Sequence, residues 1–180
     1  MERKIWMKGL ETEKRGGEMK KTICFLGIIM LLTSFCFAQE HPFVQANPEH
    51  TYLSDLPLEK QSTFSVNKDF DGETIQLDSI LYEKGICMEA GTELKIKLEK
   101  NYKELNAKIG IGNKHFDYKS KLVFEISADG TAIFTSIPLC AGAVDEVKIP
   151  IDNVKELTLK VTSLDNEYTD FAVWANISVF

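Results

Sequence analysis

Glu93-Leu94-Lys95-Ile96-Lys97-Leu98-Glu99 alternates strictly between charged and apolar residues. A β-strand points successive side chains to opposite faces, so this run covers a core with one face and meets water with the other. A helix cannot use the pattern, because its faces recur every three or four residues. Residues 121–126, 147–152 and 157–161 behave similarly. Turn-forming pairs separate the runs: Asp71-Gly72, Ala90-Gly91, Gly112-Asn113, Asp129-Gly130 and Asp152-Asn153. The spacing predicts roughly eight to ten short strands. No extended helical period occurs, and only residues 53–58 suggest a turn of helix. The expected fold class is all-β, an antiparallel sandwich or barrel over residues 51–180. Pro150 lacks an N–H, which places its strand at an edge or makes it a strand start. Residues 171–180 read as a final strand, and residues 39–50, with Pro42 and Pro48, as a flexible leader.

Residues 19–38 read differently. Met19-Lys20-Lys21 precedes an apolar run, and Cys36 and Ala38 supply the small side chains of a cleavage site before Gln39. This is the pattern of a secretory signal peptide, which predicts a secreted or periplasmic protein with no membrane anchor after cleavage. Lipidation at Cys36 is disfavoured by the bulky Phe35 before it. Residues 1–18 precede a better start at Met19, so they are expected to be a mis-assigned extension.

The export signal changes the composition that matters. Residues 1–38 hold 7 of the 21 basic and 4 of the 27 acidic residues. Residues 39–180 hold 14 lysines, no arginine and 23 acids, for a net charge of −9. Without arginine forks and with an acidic balance, nucleic acid is excluded as a partner. Of four cysteines, Cys87 and Cys140 are left. They could bridge in an oxidising compartment, or remain two thiols acting as small hydrophobes.

Catalytic signatures such as HExxH, Gly-x-Ser-x-Gly or Cys-x-x-Cys are absent from the sequence. Acidic residues abound, but nothing singles out a hydrolytic pair, and an enzyme is not expected. Asn67, Asp69, Asp71 and Asp78 have loosely the spacing of a calcium loop, with Gly72 at its sixth position. The alternative is an acidic Asp-Gly turn. Two polar loops carry aromatic and planar polar groups together: residues 110–118, with Asn113, His115 and Asp117, and residues 165–170, with Tyr168 and Asp170. Aromatic faces stack on sugar C–H surfaces and planar polar groups take hydroxyls pairwise, so these loops suit a carbohydrate. They could equally be hydrophilic connections on a β scaffold. Trp174 is a candidate platform or a core residue. Asn176-Ile177-Ser178 has the form of a glycosylation acceptor but lies within the last strand, and reads as chance.

The chain resembles the NPCBM family of carbohydrate-binding modules. Tyr52-Leu53-Ser54-Asp55-Leu56-Pro57 looks like its opening motif, and Tyr82-Glu83-Lys84-Gly85-Ile86 like its Tyr-x-x-Gly-Leu segment. Ile109-Gly110-Ile111 is similar to its Val-Gly-Ile-Asp strand, and residues 124–130 to its Phe-x-Val-x-x-Asp-Gly hairpin. Residues 157–162 and 170–175 close the match, the latter like Asp-His-Ala-x-Trp-Ala. The resemblance implies a galactose-binding-like jelly-roll sandwich, a glycan partner of galactose type, and in some related modules a structural calcium. Glu89 joins the candidate contacts, since Cys87-Met88-Glu89 stands where the family commonly has Gly-x-His. Phe171 replaces the closing His, and Leu58 and Phe64 stand near expected tryptophans. A structural or protein-interaction sandwich that has lost sugar binding is the alternative.

Overall fold

The computed structural model describes residues 40–58, 63–112, 120–165 and 170–180. The expected start extension and export signal lie outside them. The first strands are β1 (Phe43–Val44), β2 (Thr51–Tyr52), β3 (Phe64–Val66), β4 (Ile75–Leu77), β5 (Ile80–Tyr82), β6 (Gly85–Glu89) and β7 (Glu93–Lys97). The rest are β8 (Glu104–Ile111), β9 (Lys121–Ala128), β10 (Thr131–Thr135), β11 (Leu139–Cys140), β12 (Val144–Pro150), β13 (Glu156–Ser163) and β14 (Phe171–Val179). A single 3-10 turn, Leu53–Asp55, interrupts the strands among the described residues, within the predicted window. There too, no helix is long and apolar enough to cross a membrane.

Two antiparallel sheets form the sandwich. One has the order β10-β9-β13-β7, with β11 also on β9. The other has the order β12-β8-β14-β6-β3, with β2 also on β14. The alternation in β7 works as the sequence predicts: Leu94 and Ile96 are buried while Glu93, Lys95 and Lys97 are exposed. Phe124, Ile126, Leu157, Leu159 and Val161 join them from the same sheet, and Ile86, Met88, Ile109, Ala172 and Trp174 come from the facing one. Asp129 and Gly130 both take positive φ, the conformation a two-residue hairpin requires, and connect β9 to β10. Pro150 ends β12, an edge strand, where its missing N–H breaks no ladder.

A third layer covers the outer face of the larger sheet. The small sheet β1-β5-β4 places Ile75, Leu77 and Tyr82 on Cys87, Val173 and Ala175. Gly110 makes room for it, since a Cβ there would lie 2.7 Å from Leu77 Cδ1 and 2.6 Å from the Ala143 carbonyl oxygen. This layer corrects the expected leader at 39–50. Phe43 and Val44 pair in parallel with Leu81 and Tyr82. Ala46 N–H donates to Glu83 Oε2 at 2.8 Å, and His50 stacks on Phe180 with ring centroids 4.7 Å apart. Prolines at 42 and 48 hid a strand of only two residues, too short to carry a period.

The disulfide expectation is corrected too. Cys87 is buried beneath the small sheet, Cys140 is exposed on β11, and both are free. Burial, with the Asp69 carboxylate adding to it, pushes the Cys87 thiol up to about 12. Alkylation of the native protein at pH 8 is therefore expected to label Cys140 and spare Cys87, because the thiolate is the reacting form. Peptide mapping that finds the two cysteines linked, or equally labelled, would contradict this.

Candidate functional site

The larger sheet organises one end of the molecule. β6 ends at Glu89, β8 ends at Ile111 just before Gly112, and β14 begins at Phe171. Register pairs Phe171 with Glu89 and Ala172 with Ile111, so the three strand ends lie side by side. Asn113, His115, Asp117 and Tyr168 lie outside the described residues, but the feet of their loops are described. Ser120 Oγ donates to Asp170 Oδ1 at 2.6 Å. Leu164 N–H donates to the Lys121 carbonyl at 2.9 Å, and Lys121 N–H to Asp165 Oδ2 at 3.2 Å. The two candidate loops thus rise from a shared base, which sequence distance concealed.

Alternation along β14 divides the other candidates. Ala172 and Trp174 face the core, while Phe171 and Val173 face outward. Trp174 is fully buried, with its ring edge-on to Phe124 at 5.0 Å. It is therefore a core residue, which corrects its candidacy as a sugar platform. Asp170 is likewise fully buried, and its bond to Ser120 ties the bases of the two loops together. Glu89 is half-buried at the strand end beside Phe171.

A cavity of about 390 Å³ opens on this outer face. Phe171, Val173, Cys87 and Gly112 form its sheet side, and Gln76 and Leu81 come from the small sheet. Lys68, Asp69, Phe70, Glu73 and Thr74 close it from a loop. Phe70 and Phe171 meet with ring centroids 4.3 Å apart and planes inclined at 32°. Sequence reasoning missed Phe70, Gln76 and Leu81 as lining residues. The available signal was the departures from the family pattern, since Cys87 and Phe171 both line this cavity and Glu89 adjoins it.

The loop that carries Phe70 was the candidate calcium loop. Its geometry does not suit a cation. Asp69 Oδ1 accepts the N–H groups of Asp71 at 3.0 Å and Glu73 at 2.8 Å, which commits that oxygen to closing the loop. Asn67 Oδ1 accepts the Gly85 N–H at 3.2 Å, and Asp78 sits at the turn between β4 and β5 with φ +55°. The four residues therefore do not converge as a calcium set. Among the described residues, no group of three or more His, Cys, Asp or Glu is arranged for a metal. Asp69 instead folds the loop on itself, with Gly72 at φ +81°, and this presents Phe70 to Phe171.

The model of the NPCBM/NEW2 domain family matches residues 49–179. A Renibacterium salmoninarum protein, provisionally named an endo-alpha-N-acetylgalactosaminidase, is 27% identical over 139 residues. The match covers 70% of this chain and 9% of that protein, so the chain spans a small part of its relative. The CBM51 of Clostridium perfringens GH95, solved in complex with methyl-galactose, matches with a TM-score of 0.66 at 22% identity. That match covers 73% of this chain and 99% of the other. The CBM51-2 of Clostridium perfringens ZmpB, solved with its INT domains and GlcNAc, gives a TM-score of 0.66 at 22% identity. It covers 73% of this chain and 31% of the other. These likenesses establish a shared β-sandwich fold.

Proposed function

Because the chain belongs to the NPCBM/NEW2 domain family of carbohydrate-binding modules, we infer that it is a non-catalytic glycan binder whose site is the cavity beside Phe70 and Phe171. The observation that carries this reading is the convergence of two aromatic rings, a polar rim and the bases of two polar loops at one strand end. The volume suits one sugar unit, with apolar walls for a C–H face and Lys68, Glu73, Thr74 and Gln76 for hydroxyls. Asn113, His115, Asp117 and Tyr168 belong to the loops that start at its edge, and Glu89 adjoins Phe171. The family favours a galactose-type ligand. The replacement of the closing His by Phe171 favours a more apolar contact than an imidazole would make. The export pattern at residues 19–38 supports a place of action outside the cytoplasm.

Isothermal titration against methyl-galactose, GalNAc and GlcNAc, together with a glycan array, tests the reading. Binding to at least one glycan is expected, weakened about tenfold or more by Phe171→Ala, since a lost aromatic contact of this size is worth over ~1 kcal/mol. Silence across plant, mucin and bacterial glycans would overturn the reading in favour of a sandwich that binds protein. Full binding by Phe171→Ala would move the site elsewhere.

A further inference from the structure

We propose that Asp69 is a positioning residue of the sugar site: it closes the loop between β3 and β4 so that Phe70 joins Phe171 as a second aromatic contact for the saccharide. The inference rests on the cavity beside Phe171 being the glycan site. The loop is pinned at both ends. Asn67 takes φ +57°, its N–H donates to the Gly85 carbonyl at 2.9 Å, and its Oδ1 accepts the Gly85 N–H at 3.2 Å. The start of the loop is thereby tied to the first residue of β6. At the far end Ile75 opens β4 and is fully buried.

Between these fixed points Asp69 is the hub. Besides the two N–H groups on its Oδ1, its own N–H donates to the Glu73 carbonyl at 2.9 Å. Its carbonyl accepts the Gly72 N–H at 3.1 Å and the Ser65 hydroxyl at 3.3 Å. The Ser65 bond joins the hub to β3, which pairs with β6. Phe70 follows the hub directly and lines the cavity with Phe171, and both rings are part-exposed. Their centroids, 4.3 Å apart, leave no room for a sugar between the rings. Two stacking contacts at ~3.5–4.0 Å would need about 7–8 Å. The rings therefore form one continuous apolar surface, and a saccharide in the cavity meets both from one side.

What Asp69 supplies is preorganisation. A loop that visits several conformations binds more weakly, in proportion to the fraction of time it presents Phe70. Asparagine carries the same acceptor oxygen without the charge and forms the same kind of side-chain turn, whereas alanine has no acceptor. Comparing the two separates an oxygen that shapes the loop from a charge that meets the ligand. A residue that acts only through Phe70 also has nothing left to contribute once Phe70 is removed, so the two losses do not add.

The experiment titrates the parent, Phe70→Ala, Asp69→Ala, Asp69→Asn and the Asp69→Ala/Phe70→Ala double variant with methyl-galactose, GalNAc and GlcNAc by calorimetry. Nuclear Overhauser contacts between the Phe70 and Phe171 rings are recorded without sugar. Phe70→Ala and Asp69→Ala are each expected to weaken the parent's binding about tenfold, as when the presenting fraction falls to a tenth. Asp69→Ala is expected to lose the ring contacts before any sugar is added, and Asp69→Asn to restore both contacts and most of the affinity. The double variant is expected to bind no more weakly than Phe70→Ala. Full affinity in Asp69→Ala, additive losses in the double variant, or an asparagine variant as weak as the alanine one would each overturn the proposal. A parent that binds none of the three sugars would overturn the choice of site together with this inference. A parent that binds while Phe70→Ala binds equally well would overturn the inference alone.

Discussion

Trp174→Ala is expected to lower the unfolding free energy by about 3–5 kcal/mol, the usual cost of deleting a large buried aromatic side chain. Trp174 is fully buried between the sheets and touches Phe124 edge-on, so the loss includes both apolar burial and an aromatic pair. Its Nε1 has no hydrogen-bond partner, so Trp174→Phe removes an unsatisfied donor along with some volume and should cost clearly less. Urea denaturation followed by far-ultraviolet circular dichroism measures both. The pair also separates fold from function. Phe171→Ala alters a cavity wall and should leave most stability in place while weakening sugar binding. If Trp174→Ala were as stable as the parent but lost glycan binding, the residue would be a platform after all, contrary to its burial.

Raising the pH above 9 is expected to destabilise the protein in a way that depends on Cys87. The unfolded thiol loses its proton near its ordinary value of 9.0, whereas the folded one holds it up to about 12. Between those values the unfolded state binds fewer protons than the folded state, so stability falls as pH rises. The Cys87 contribution is fully present below pH 9 and is lost across the window to about 12. The slope is about 1.4 kcal/mol per pH unit, which accumulates to roughly 4 kcal/mol. Tyr82, also raised by burial and then by the Asp78 carboxylate, adds to the fall above its ordinary 10.0. Urea midpoints at pH 8, 9, 10 and 11, for the parent and Cys87→Ala, isolate the cysteine. Parallel slopes for the two proteins would mean that the folded thiol ionises as freely as the unfolded one. Only the difference in slope matters, since Cys87→Ala also opens a small cavity at every pH.

The strands that alternate cleanly were legible because their period is a local property. β7 reads out in seven residues, and the Asp129-Gly130 hairpin carries its own conformational preference. The edge position of β12 was legible from Pro150 for the same reason. The two-residue strands β1 and β2 were not, because they are held by partners at Leu81 and Ser178, far along the chain. The third layer was hidden for a related reason. Cys87, Val173 and Ala175 belong to unbroken apolar runs, which mark a strand covered on both faces but do not say that β4 and β5 supply the second cover.

The candidate site divides along the same line. The polar loops were identified by composition, since aromatic and planar polar groups declare their chemistry wherever they lie. Phe70 did not declare itself, because the loop that turns it toward Phe171 looked like a cation loop in spacing. The hydrogen bonds to Asp69 Oδ1 give that carboxylate another role. Trp174 was misplaced because an aromatic near a strand start has no local mark of inward or outward direction.

Residue order alone is enough to make this chain an antiparallel all-β sandwich or barrel with two polar loops and, over residues 39–180, an arginine-free, acidic composition. Period and turn chemistry act between near neighbours and need no fold to operate. Packing between distant strands makes Trp174 core, keeps Cys87 and Cys140 apart, and brings Phe70 to Phe171 over a cavity. Each of these depends on which strands lie side by side, and strand pairing over many residues leaves no trace in local pattern.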